Sequence, residues 1–503
     1  MKKYLIISLL LFFPVLLFSE SYKIIDAEYD IYGAGFKFMG KTREYPLKRK
    51  FGIDKKTIFE SREAFEHYLA NYKLSLESSR YFDEVKVDYE ARPSASEGLY
   101  DVVLLIGIQD SHHLLVMPYP KYSSNSGVTL KLKAKDTNFF GSLNTMNTEL
   151  NLKAKKDEFK SGFAFSFDAP FSAGPFDATF INDYSVDYVL KDGQSAIEWD
   201  TETGLSFSHS FGRVGISFGI YQYTYKDIDY KKYDDEIYFK EKFSFGVPVK
   251  LVTLSNFTSV SYSPSVSVNW NWDFNGINPD NDSLSGPTLS FSHSISNSKV
   301  TWNNNFRKGY DLSLSNTFEY NFQRDDWNPN VQFDAYFFWN YQANDQDIWN
   351  RFGICSKLLV FHYFDMPGNT YKYGKGIGDY LRGILDDSFF GNDKPSSTAS
   401  SGIVFSLDLP HHVFTAYFPK EILNFDFQFS PFFDMALVYN RRTGKVFAWE
   451  DGYYCAGFEF LVYPLKWSSV TVRASLGVDL KSNLFVEGLM KNKEIFIGLG
   501  LQY

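Results

Sequence analysis

The stretch Val470-Thr-Val-Arg-Ala-Ser-Leu-Gly-Val-Asp-Leu480 alternates without a break between apolar and polar residues. Val470, Val472, Ala474, Leu476, Val478 and Leu480 share one face, and Thr471, Arg473, Ser475, Gly477 and Asp479 share the other. Successive side chains of a β-strand point to opposite faces, so this segment is a strand with one apolar and one polar side. A tilted strand crosses a bilayer in about 9–11 residues, and the segment is long enough to do so. The same period begins at Gly127, where Val128, Leu130, Leu132 and Ala134 alternate with Thr129, Lys131, Lys133 and Lys135. It recurs at 160–168, 204–209, 214–225, 259–271, 288–294, 312–322 and 331–341, between turns rich in Asn, Asp, Gly and Ser such as 276–286. A soluble β-sandwich or propeller also alternates. The length of the segments and the lack of a second buried face favour a closed antiparallel barrel with its apolar side chains facing lipid.

Composition agrees with that reading. Aromatic residues make up 19% of the 503 residues, yet mean hydropathy is slightly negative. An outward apolar band with aromatic girdles around a polar interior gives that balance. A net charge of −9 is mild for this length and argues against a nucleic-acid partner. The two cysteines, Cys355 and Cys455, form no disulfide framework, although one bridge between them is open.

Residues 1–21 read as a secretory leader. Lys2 and Lys3 precede the apolar run Tyr4–Phe18, which is short for a membrane span, and small residues suit cleavage after Ser21. An uncleaved anchor is the alternative. No later stretch approaches 18 apolar residues, so any further span is expected to be β.

Residues 22–112 are different in kind. Tyr22–Tyr32 is strand-like and is followed by a basic loop, Lys41–Lys50 with Lys55 and Lys56. Thr57–Arg80 carries the helical pattern, with a start at Ser61-Arg62-Glu63-Ala64 and an apolar face of Phe65, Leu69, Tyr72, Leu74 and Leu76. Strands are expected at Phe82–Tyr89 and Tyr100–Ile108. That order describes a small α+β domain ahead of a barrel over 113–503.

Within the barrel, Gly374–Asp387 reads GKGIGDYLRGILDD, a glycine-rich loop with Arg382 at its centre. Parity turns Asp408 inward on the strand after the loop, and Asp434 inward on the next. If the loop folds into the lumen, Arg382 can bond one or both carboxylates, and its planar fork can make two hydrogen bonds to one of them. In a hydrated lumen such a pair is screened, so it is expected to fix position more than to add stability.

The segment Leu381-Arg382-Gly383-Ile384 resembles the sixth-loop motif of the BamA/TamA-like outer-membrane assembly and translocation family, the bacterial surface antigen type of barrel. That motif has an aromatic in the last place, where Ile384 stands. The resemblance implies a loop folded into the barrel, Arg382 bonded to Asp434 with Asp408 a looser match, and five strands after the loop in a barrel of sixteen. Eleven strands would then precede it. Asp136-Thr137-Asn138-Phe139-Phe140-Gly141 resembles the family's first-hairpin motif. Residues 22–110 resemble a POTRA domain, with two helices expected within about 57–80 and a single such domain in the chain. The alternation Ile497, Leu499, Leu501, Tyr503 resembles the C-terminal signal of bacterial outer-membrane barrels.

No catalytic constellation stands out, so no enzyme activity, cofactor or metal is expected. The adjacent pairs His112-His113 and His411-His412 point apart on strands, and the turn Asn278–Ser283 lacks the spacing of a calcium loop. The resemblance implies an outer-membrane protein with its POTRA domain in the periplasm. Its expected partners are client outer-membrane or secreted polypeptides, outer-membrane lipids and a periplasmic accessory protein. Three roles stay open: an assembly or insertion factor, a dedicated translocator of one secreted partner, and a passive channel or structural barrel.

Overall fold

The computed structural model describes residues 20–34, 40–123, 127–155, 158–191, 193–226, 237–255, 258–274, 276–277, 286–342, 351–369, 372–383, 399–419, 424–439, 444–467, 469–481 and 493–499. The expected leader lies outside these residues except for Glu20 and Ser21, as do Ile384, Leu501, Tyr503 and the turn Asn278–Ser283.

The N-terminal unit runs β1 (Ser21–Tyr32), α1 (Glu44–Lys50), β2 (Ile58–Phe59), α2 (Arg62–Ser78), β3 (Phe82–Pro93) and β4 (Leu99–Asp110). The sheet order is β2-β1-β4-β3, with β4 parallel to β1 and antiparallel to β3. Ser61 caps α2, its hydroxyl accepting from the Ala64 amide at 3.2 Å. The helix buries Phe65, Tyr68, Leu69, Tyr72 and Leu76 on a core that includes Ile24, Val102, Leu104 and Ile106. Each such side chain contributes roughly 1.5–3 kcal/mol. Two expectations are corrected here. The basic stretch 41–50 contains a helix, α1, so 57–80 holds one helix and not two. Leu74 is exposed and Tyr68 takes its place in the core, because the buried stripe follows 65, 68, 69, 72 and 76.

The remaining strands close into one antiparallel barrel from Leu114–Ser123 to Lys493–Leu499, the last strand lying beside the first. Twenty-two strand segments lie in its wall. Four of them continue another segment after a break, at Asp168, at Val247-Pro248, after Ile277 and at Leu409-Pro410. The described residues therefore make eighteen passes, thirteen before the glycine-rich loop and five after it. The expected sixteen strands, eleven of them ahead of the loop, are corrected accordingly. Two-residue turns such as Gly174-Pro175 and Gly212-Arg213 join long strands without the cluster of turn residues that would mark them in the sequence. Outward positions such as Leu130, Leu132, Leu150, Leu152, Phe163 and Phe180 are exposed and apolar. No described helix is long and apolar enough to cross a membrane.

The turn between the second and third barrel strands (Gly127–Asp136 and Met146–Lys155) is fused to the N-terminal unit. Thr42 donates to Asp110 from its amide (2.8 Å) and hydroxyl (2.7 Å), and Asn138 Nδ2 donates to Thr42 Oγ1 at 2.7 Å. The Arg43 amide bonds the Gly141 carbonyl at 2.9 Å, and Leu143 sits in the domain core. His113 Nδ1 lies 2.5 Å from Asp136 Oδ1 in the same buried joint. Gly141 has φ +66°, and a Cβ there would stand 2.1 Å from the Lys41 carbonyl oxygen. Gly141→Ala is expected to pry this joint open. Limited proteolysis should then separate the N-terminal unit from a barrel that keeps its own thermal stability.

Candidate functional site

Arg382 occupies the inside of the barrel, 5% exposed. The loop that carries it is held by a bridge between Lys375 and Ala399 and by a turn of 3-10 helix, Gly378–Tyr380. Ile377 and Leu381 are buried with Leu359, Phe361, Val404, Ala436 and Val438, so an apolar cluster seats the loop before any charge is paired.

The guanidinium then meets three strands. Its Nε donates to Asp434 Oδ2 at 2.9 Å and Nη2 to Asp434 Oδ1 at 2.6 Å, a two-pronged contact, and the Arg382 amide adds a third bond at 3.0 Å. Nη1 donates to Asp408 Oδ1 at 2.6 Å and to Glu459 Oε1 at 3.1 Å. Asp408 lies on the first strand after the loop (Ser401–Asp408), Asp434 on the second (Phe425–Val438) and Glu459 on the third (Tyr453–Pro464). Arg473, on the fourth (Val472–Asp479), bonds the same Glu459 oxygen at 3.1 Å. The Phe432 ring lies under the guanidinium, 3.7 Å from Cζ to centroid. Burial works against the charge on Arg382, but the Asp434 hydrogen bonds and the charges of Asp408 and Glu459 outweigh it and hold its pKa above the ordinary arginine value.

The fourth strand also meets the loop backbone. Gly383, at φ +102°, lies against Gly477, and a Cβ on Gly383 would come within 2.5 Å of the Gly477 carbonyl carbon. A Cβ on Gly477 would meet the Arg382 carbonyl oxygen at 2.7 Å. Two glycines are needed because two backbones touch there.

Arg382, Asp408 and Asp434 thus come together, with Leu381 and Gly383 beside them. Screening by a hydrated lumen does not apply, because all three charged residues are buried, Asp434 completely. Sequence reading missed Glu459 and Arg473. Both carried the parity signal, Glu459 between outward Phe458 and Phe460 and Arg473 in the alternating Val470–Leu480, but neither neighbours the loop in sequence. Of the C-terminal alternation, Ile497 faces outward and Leu499 ends the last strand.

Towards the N-terminal unit the lumen is occupied a second time. Arg80, at the end of α2, donates from Nη2 to Asn305 Oδ1 at 2.8 Å and lies over the Trp302 ring at 4.3 Å. Asn305 donates to Asp426 Oδ2 at 2.9 Å, and Asp426 Oδ1 lies 2.5 Å from His412 Nε2. Gln428 donates to the Asn305 carbonyl at 3.1 Å. A small cavity lined by Asn305, Arg307, Asp408, Gln428, Glu459 and Tyr463 separates this layer from the Arg382 cluster.

No protein-family model matches the chain, and no curated protein matches it. Among solved structures it is similar to BamA from Haemophilus ducreyi lacking POTRA domains 1–3 (13% identity, TM-score 0.38, 95% of this chain and 83% of that one). It is also similar to CdiB from Acinetobacter baumannii (12%, 0.48, 95% and 74%) and CdiB from Escherichia coli (10%, 0.49, 95% and 76%).

Removing Arg382 leaves Asp408, Asp434 and Glu459 buried without the guanidinium that bonds all three. Arg382→Ala is expected to cost about 3–5 kcal/mol, read as a lower temperature for loss of the folded, heat-modifiable form. Gly477→Val should unseat the loop without touching a charge. Trypsin should then cut after Arg382, which wild type protects.

Proposed function

We propose that this chain is an outer-membrane assembly or insertion factor of the BamA/TamA-like type, with a non-enzymatic role. In this reading residues 22–112 are a single periplasmic POTRA-like domain that receives an extended client and passes it to the barrel. The observation that carries the proposal is the lock itself. Arg382 joins the first, second and third strands after the loop by charge, and Gly383 joins the fourth by contact. A wall clamped over four consecutive strands, close to a first strand with fewer donors, suits insertion of a client at the boundary between last and first strands.

The first strand supports this. Pro118 and Pro120 lie on it, and neither nitrogen carries a hydrogen to donate. Register with Gly127–Asp136 continues past both, so the two nitrogens face the last strand, where Gly498 weakens pairing further. The lumen, in contrast, is filled at two levels, by Arg382 with its partners and by Arg80 with Asn305. Passage of a polypeptide through it would require both layers to leave, whereas insertion at the boundary requires neither. The proposed partners are client outer-membrane polypeptides, membrane lipids and a periplasmic accessory protein, with no nucleic acid.

The test compares wild type with Arg382→Ala at matched membrane levels, in a strain that depends on this gene, by quantifying the outer-membrane proteome. The expected outcome is a joint fall of several barrels. Loss of one secreted protein alone would replace this reading with a dedicated translocator, and no change would replace it with a channel or structural barrel.

A further inference from the structure

The basic stretch 41–50 is the feature of the N-terminal unit that the proposed function leaves without a role. It carries Lys41, Arg43, Lys48, Arg49 and Lys50 against one acid, Glu44, in a chain whose net charge is −9. All five cationic side chains are exposed. Their local bonds leave most of that charge uncancelled. Lys48 pairs with Glu44 at 2.5 Å, and Arg49 approaches Asp177 at 3.9 Å. Lys41 and Lys50 bond neutral oxygens, of Ile31 for the first and of Tyr81 and Leu143 for the second. Arg43 has no ion pair among the described residues.

Position distinguishes this stretch from an ordinary solvated face. It is tied to the barrel rim at three successive turns or strand ends. The Arg43 amide holds Gly141, the Tyr45 hydroxyl donates to the Phe171 carbonyl at 2.7 Å, and Arg49 Nη1 donates to the Ala178 carbonyl at 2.9 Å. On the same rim Phe140 projects into solvent, 70% exposed, from a backbone at φ 52°. Its ring lies 4.2 Å from that of Phe139, which meets Phe167 edge-on at 4.9 Å. Farther along the same strands come the outward Leu132, Leu150 and Phe163 of the apolar band. A row of aromatics beside an apolar band marks the level where hydrocarbon gives way to headgroups. The cations sit just beyond that row.

We propose that Lys41, Arg43 and Lys48, with Phe140 beside them, form a binding patch for the phosphates of anionic phospholipids in the membrane leaflet facing the N-terminal unit. The inference rests on the reading of the barrel as membrane-spanning. Arginine offers a phosphate diester two parallel donors and lysine a point charge, and Phe140 enters the interface between headgroup and acyl chain. The patch anchors the unit to the bilayer beside the rim formed by the second to fifth passes of the barrel.

The full chain would be reconstituted into nanodiscs of phosphatidylcholine mixed with phosphatidylglycerol, and the bound lipids counted by native mass spectrometry. Wild type is expected to enrich phosphatidylglycerol, and added salt to reduce the enrichment. Each cation near an anionic surface changes binding by roughly fivefold, so Lys41→Gln/Arg43→Gln/Lys48→Gln should lose the preference by at least tenfold. Lys55→Gln/Lys56→Gln, outside the patch, should keep it. A wild-type barrel that spans the nanodisc without preferring phosphatidylglycerol overturns the patch and leaves the membrane reading standing. A preference that survives in the triple variant places the lipid site elsewhere and also overturns it. A chain that enters no bilayer of either composition overturns the membrane reading and this inference with it.

Discussion

One buried guanidinium ties together the strands that follow the glycine-rich loop. Burying Arg382 is favourable only while Asp434, Asp408 and Glu459 stand around it, and burying those carboxylates is favourable only with the guanidinium in place. The three acids come from three consecutive strands, so their convergence requires correct register across all of them. Phe432 and the Gly383–Gly477 contact fix the depth at which the loop stops. Such an arrangement specifies one geometry sharply. A register slip of one residue would turn the carboxylates to the outer face of the barrel.

The joint between the N-terminal unit and the barrel works on the same principle with weaker charges. Asn138, Thr42 and Asp110 form a buried chain of hydrogen bonds through Thr42, and Leu143 on the barrel turn completes the core of the unit next door. Arg80 adds a contact at the mouth of the lumen. The unit is therefore coupled by packing to the turn between the second and third barrel strands and to a distant part of the wall by Arg80, Asn305 and Asp426, so a rotation of the unit must load one attachment or the other.

Much of this was readable from parity. The period of two marks most barrel strands, and the same parity places Asp408 and Asp434 inward, because a one-sided environment is written directly into alternate residues. What stayed hidden has physical causes. Strand number was underestimated because two-residue turns barely interrupt alternation, and because the first strand, with Pro118 and Pro120, reads as a turn. Helix α1 is short and cationic, and its packing, through Pro46 and Leu47 alone, leaves too little apolar signal. Glu459 and Arg473 lie far from the loop in sequence, and only the closure of the sheet brings them to it. Burial of the cluster could not be inferred either, since it depends on how completely the loop fills the lumen.

The clamping of four consecutive strands has a mechanical consequence. A closed sheet under uniform tension has no preferred place to part, since every boundary resembles its neighbours. Here four strands are clamped together and two prolines remove backbone donors from the first strand, so the boundaries of the sheet are not held equally. Strands joined through one guanidinium must shift register together or not at all, so the clamp makes a single rigid panel of that part of the wall.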